Sequence, residues 1–197
     1  MANVERKPID TSCLKGIPIV WIMGGPGSGK GTQSEKVVRH FDYTHISSGD
    51  ILRAEVMSNS NRGLQLYKLM ANGDPVPNPI VNDLIAEVMV AKASSSKGFL
   101  VDGYPIEEKQ AEDFENQIAP ASLVLFLDCS DEILRDRLLK RGNFDDTEDA
   151  IKNRIETYNS RTKPILTKYI NNVKKVNADQ DKDQTYEDVK KIISELK

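Results

Sequence analysis

The chain has 197 residues, 27 basic and 30 acidic, with a formal net charge of −3. That length holds one good-sized core, and the near-balanced charge argues against a nucleic-acid partner. Cys13 and Cys129 are too few for a disulfide framework and fit a reducing compartment.

Residues 1–15 are polar and carry no apolar segment of the signal-peptide kind, so they read as a short tail. No apolar run approaches the ~20 residues of a membrane span. A cytoplasmic chain without a membrane partner is the expectation. Ile17 to Met23 is a near-continuous apolar run, short enough for a buried parallel strand. Gly24 to Gly29 then holds four glycines in six positions, and Lys30 to His40 has helical character. Strand, glycine turn and helix in this order describe a phosphate cradle. Glycines let successive N–H groups curl toward an anion, and the helix N-terminus adds its positive dipole end. Lys30 supplies a point charge. The general pattern G-x-x-x-x-G-K-[ST] is broken at one place, because Gly31 intervenes before Thr32.

Tyr43 to Ile46 reads as a short strand, and Ser47-Ser48-Gly49-Asp50 as capping chemistry for a helix near Ile51. A polar helix is expected over 61–71. Three prolines within 72–79 break it, and an apolar-striped helix follows over 80–92. Gly98 to Asp102 and Leu123 to Asp128 are two further buried strands, each ending in Asp. Helices are expected over 131–140 and 148–170, the second bent at Pro164. A strand over 173–176 and a helix over 186–196 close the chain. Strands alternating with helices imply a parallel sheet covered on both faces, with right-handed crossovers. Segments 47–78 and 141–147 do not fit as crossovers and read as lobes over the strand ends.

Asp102 ends an apolar strand and is the natural Mg²⁺ partner of a phosphate loop, directly or through water, with Thr32 or Ser28 nearby. Arg53, Arg141 and Arg154 surround the same loop in sequence order and suit phosphoryl transfer, where charge stabilisation dominates. His40 and His45 lack metal-ligand spacing, and Trp21 reads as core. The acidic cluster at 145–149 reads as helix-cap chemistry.

Four stretches resemble the adenylate kinases of the short cytosolic type: residues 24–33 (GGPGSGKGTQ), 45–53 (HISSGDILR), 98–105 (GFLVDGYP) and 154–158 (RIETY). Gly31 is what that family carries. The resemblance spans about residues 17–196. It implies an α/β P-loop three-layer fold with a five-stranded parallel sheet and one kinase domain over 16–197. A small monophosphate-binding lobe (47–78) and a short lid (141–147) would be inserted in it. It implies direct in-line transfer, Mg·ATP + AMP to 2 ADP; with a closed site in one chain, a monomer is the simplest expectation. Gly25, Gly27, Ser28, Gly29, Lys30, Gly31, Thr32 and Arg141 would hold ATP. Ser48, Arg53, Gly73, Val76, Gly103 and Gln110 would hold AMP. Lys30, Arg141 and Arg154 would be catalytic, with Asp102 on Mg²⁺ through water. Segment 179–183 lies where relatives make main-chain contacts to the ATP adenine.

Two positions depart from the pattern. Where the family reads Asp-Gly-Tyr-Pro-Arg, this chain has Ile106. Where short-lid relatives read Arg-Gly-Arg-x-Asp-Asp, it has Asn143. Both expected charges are gone. Two readings therefore stand: an adenylate kinase whose rate is reduced, or a weak or inactive nucleotide-binding pseudoenzyme with a regulatory role and a protein partner.

Overall fold

The computed structural model describes residues 8–71, 76–142 and 146–196. Five strands, β1 (Ile19–Gly24), β2 (Thr44–Ser47), β3 (Phe99–Asp102), β4 (Leu123–Asp128) and β5 (Val173–Asn177), form one sheet in the order β2-β3-β1-β4-β5. All four ladders are parallel. Successive residues of a strand face opposite sides of the sheet. Trp21 and Met23 of β1 accordingly join a cluster with Phe99, Val101, Val124 and Phe126. Val20 and Ile22 join a second cluster with Leu100, Leu123, Leu125 and Leu127. Burial on both faces is why these strands read as unbroken apolar runs. Trp21 is fully buried, edge-on to Phe114 (ring centroids 5.4 Å apart) and Tyr169 (5.1 Å).

The helices are α1 (Lys30–Phe41), α2 (Ser48–Met57), α3 (Asn61–Ala71), α4 (Asn78–Lys92), α5 (Glu108–Gln117), α6 (Asp131–Arg141), α7 (Glu148–Thr157), α8 (Lys163–Lys168) and α9 (Lys182–Ser194). Ser47 caps α2 by accepting from Asp50 N, so that helix starts three residues before its expected place. Asp181 caps α9 through Asp183 N, four residues ahead of expectation. Helix α5 was not anticipated. Its sequence is strongly polar, and only Gln110, Ala111 and Phe114 are buried.

The expected single helix over 148–170 is two helices joined by a π turn, Tyr158–Thr162. Lys163 N donates to Tyr158 O, five residues back. Pro164 lacks an N–H and would crowd the carbonyl four residues before it. The widened turn meets that constraint upstream of the proline instead of bending at it.

The tail reading needs correction over its described part. Ser12–Leu14 form a short 3₁₀ turn, and Leu14 is 1% exposed within the main core cluster, beside α4. Helices α2 and α3 are held against α4 by an apolar cluster of Leu66 with Ile80 and Leu84, and by one guanidinium. Arg62 donates to Glu55 through Nε (2.9 Å) and to Glu87 of α4 through Nη1 (2.7 Å). Among the described residues no helix is long and apolar enough to cross a membrane.

Candidate active site

β1 ends at Gly24 in the middle of the sheet, with β3 on one side and β4 on the other. The connections leaving β1 and β3 cross to different sides there, which is where open parallel sheets bind ligands. Between Gly24 and Lys30 the chain curls tightly. Gly27 (φ +87°) and Gly29 (φ +96°) hold backbone conformations that side chains disfavour. A Cβ on Gly25 would stand 2.3 Å from Leu134 Cδ1, so the loop lies against α6.

Lys30 reaches back across the loop it follows, donating from Nζ to Gly24 O (2.9 Å) and Gly25 O (3.1 Å). Burial lowers its pKa, Asp102 counteracts that, and the Arg141 charge lowers it further. Ser28 is buried, and its Oγ has no hydrogen-bond partner among the described residues. Gly31 and Thr32 are exposed on the first turn of α1.

Asp102 closes β3, paired in register with Ile22 of β1 and Ser47 of β2. Its Oδ2 lies 3.7 Å from His45 Nε2. Among the described residues no three His, Cys, Asp or Glu side chains gather to hold a metal. A lone carboxylate such as Asp102 fits an ion like Mg²⁺, which keeps several waters and takes further ligands from phosphates, better than a metal needing a full protein cage.

Arg141 at the end of α6 and Arg154 in α7 share one anchor. Arg141 donates to Asp146 through Nε (2.8 Å) and Nη2 (2.7 Å), and Arg154 through Nη1 (3.0 Å). The Asp146 side chain is wholly buried. Reading the whole acidic cluster as cap chemistry was therefore mistaken at this residue. Thr147 is the α7 cap, accepting from Ala150 N, and Glu148 and Asp149 occupy the first turn. Asp146 instead orients the two arginines. Asn143, Phe144 and Asp145, the middle of the expected lid, lie outside the described residues, as does Gly73.

Across the loop a cavity of about 390 Å³ is walled by Gly24, Lys30, Gly103, Ile106, Arg154 and Arg161, among others. Ser48 Oγ donates to Gly103 O at 3.0 Å. Arg53 is exposed and paired with Asp50 at 2.6 Å. Val76 packs partly buried against the core and the small lobe. Gln110 is buried, with Nε2 donating to Asn78 Oδ1 (2.9 Å) and Oε1 accepting from Ile106 N (2.8 Å). Ile106 is 46% exposed on the cavity wall. Arg161 escaped sequence reasoning. A lone Arg late in a polar helix carries no local signal, and only the tertiary fold brings it here.

A second cavity, of about 360 Å³, opens on the other side of the loop between Gly27, Thr32, Arg137, Gln180 and Lys182. Gln180, Asp181 and Lys182 thus share a cavity with the phosphate loop. Gln33 fastens this segment, Nε2 donating to Lys182 O at 2.9 Å. Beneath it, burial pushes the Cys129 thiol up to about 12.

A model of the adenylate kinase family matches residues 22–174 of this chain. The chain belongs to the adenylate kinase family. It is 46% identical over 194 residues to adenylate kinase isoenzyme 1 of Gallus gallus, covering 95% of this chain and 100% of that protein. The human isoenzyme 1 is 46% identical over 190 residues, with 93% and 98% covered. That of Caenorhabditis elegans is 49% identical over 174 residues, with 85% and 83% covered. The chain is an adenylate kinase-like nucleoside monophosphate kinase, and its five-stranded parallel sheet is that of the family's P-loop α/β fold.

Proposed function

We propose that this chain transfers the γ-phosphoryl group of Mg·ATP directly to the phosphate of AMP, giving two ADP. One observation carries the reading: Lys30 of the phosphate loop and Arg154 wall the same cavity as Gly103 and Ile106. Donor and acceptor phosphates can therefore meet in one place, which is most of what phosphoryl transfer asks of a protein.

In this reading the loop amides from Gly25 to Thr32 cradle the ATP phosphates. Lys30 leaves the carbonyls of Gly24 and Gly25 to hold the outer ones. Arg141 and Arg154, pre-aimed by Asp146, balance charge on the transferring group. Mg²⁺ would sit near Asp102, through water, with the Ser28 or Thr32 hydroxyl beside it, and would supply charge neutralisation between the phosphates. Arg53, Ser48, Val76 and Gly103 would serve the AMP side, and the resemblance assigns Gly73, outside the described residues, to the same role. Gln110 spends one donor on Asn78 and one acceptor site on Ile106 N. One donor and one acceptor site remain, enough to read the adenine edge. A cytoplasmic monomer of one kinase domain, with lobes at 47–78 and 141–147, completes the proposal, with no nucleic-acid or membrane partner.

Ile106 favours a slow version of this enzyme over a fast one, since it presents methyl groups where a cation would clamp the monophosphate. Loss of a preorganised donor costs roughly 10²–10³ in rate. A coupled assay with Mg·ATP and AMP tests the proposal. ADP formation that needs both nucleotides supports it. ATP binding without any turnover would leave the pseudoenzyme reading, a nucleotide-responsive module with a protein partner, in its place.

A further inference from the structure

Three cations wall the cavity between the phosphate loop and Ile106: Lys30, Arg154 and Arg161. Two are engaged. Lys30 holds loop carbonyls, and Arg154 holds Asp146. Arg161 is exposed, and among the described residues no hydrogen bond or ion pair engages it. The described lining of the cavity carries no carboxylate.

The placement of Arg161 follows from the backbone. Arg154, Tyr158 and Arg161 all line the cavity at helical spacing, with Arg161 on the π turn. The next residue, Thr162, donates from Oγ1 to the carbonyl of Ile106 at 3.0 Å. That bond ties the turn bearing Arg161 to the residue that lacks a charge. The arrangement brings a guanidinium to the wall beside Ile106 from a different element.

We propose that Arg161 binds the phosphate of the acceptor nucleoside 5′-monophosphate, taking over the contact that Ile106 cannot make. The inference rests on the reaction proposed above. A guanidinium presents a planar fork that matches two phosphate oxygens, and an unengaged one needs no internal partner displaced before it binds. The acceptor is thereby held from the π turn, an element separate from the α2 helix that carries Arg53.

AMP affinity by equilibrium dialysis, measured alongside initial rates, tests this. Arg161→Met keeps length and removes charge. It should weaken AMP binding and raise the AMP KM by about 10- to 100-fold, the size of a lost charge-assisted bond. The ATP KM and the thermal midpoint should stay where they are. Arg161→Lys should recover part of the affinity, and Arg161→Met combined with Ile106→Arg most of it. Unchanged AMP binding in Arg161→Met would overturn the proposal, as would equal weakening of ATP and AMP or a double variant no better than the single one. A parent chain that binds AMP but never turns it over defeats the proposed reaction and leaves the dialysis result to decide Arg161. A parent chain that binds no AMP overturns both.

Discussion

Arg141 grips Asp146 with two parallel hydrogen bonds of 2.8 and 2.7 Å, and the carboxylate it grips is completely buried. Arg154 joins the same oxygen from α7. One acid thus sets the aim of two guanidinium groups on neighbouring helices, leaving faces of both turned outward.

Asp146→Asn keeps the shape and removes the charge. Hydrogen bonds to charged groups are worth about 1.5–3 kcal/mol, which the part-exposure of both arginines reduces here. Steady-state kinetics should show kcat down by at least about tenfold. A melt should show a drop of a few degrees, given about 2–4 °C per kcal/mol at this size. A variant with parental kcat would sink the idea that Asp146 aims the arginines.

Lys30 should make nucleotide binding pH-dependent from the alkaline side. Its pKa lies below the ordinary lysine value of 10.5, chiefly through burial. Bound polyphosphate favours the charged form, so ATP affinity falls as pH rises through that lowered value, by up to about tenfold per pH unit. Calorimetry in two buffers of different ionisation enthalpy should register proton uptake on binding there. Lys30→Arg, always charged, should bind more weakly but with the slope gone. A slope that survives in Lys30→Arg belongs to another group.

Arg62 adds a polar clamp to the apolar packing that holds α2 and α3 against α4. The hydrogen bond from Arg62 is the largest cause holding the Glu55 carboxyl below its ordinary 4.5. A depressed carboxyl contributes stability above its unfolded value, and that contribution is lost as pH falls through the folded one. The lobe should therefore loosen first on acidification below about pH 4.5. Arg62→Met should cost about 1–2 kcal/mol at neutral pH, screening included. Hydrogen exchange should place the loss in α2 and α3, with AMP binding weakened more than ATP binding. Uniform loosening across the sheet would count against the assignment.

Ile106→Arg and Asn143→Arg together restore the two charges expected from the family pattern. Initial rates with saturating Mg·ATP and AMP should rise by one or more orders of magnitude, chiefly through position 143, since an arginine at a transferring phosphate is worth on the order of 10³–10⁵ in GTPases while Arg161 already serves the acceptor beside Ile106. A rate equal to the parent's would mean that Arg161 and the remaining cations already do the work of both.

Much of this was legible in the chain because its signals are local. The buried strands announce themselves as apolar runs, and Gly31 marks the family. What sequence hid was decided by tertiary contacts. Helix α5 is strongly polar, and its buried face of Gln110, Ala111 and Phe114 holds only one large apolar residue, too little to advertise it. Asp146 sits among acids that do serve α7, and only its burial under two arginines separates it from them. Leu14, in a polar stretch, finds its apolar surroundings in residues far along the chain. Pro164 pointed to an irregular helix but not to the place where the irregularity falls.

The chain has a single tryptophan, and it stands at the centre of the sheet with no water around it. It is therefore an intrinsic optical probe of one event. Its emission should stay at short wavelength while nucleotides bind and leave, and shift to long wavelength only when β1 parts from α5 and Tyr169. Fluorescence and activity followed together on heating would then separate loss of the catalytic arrangement from loss of the domain itself.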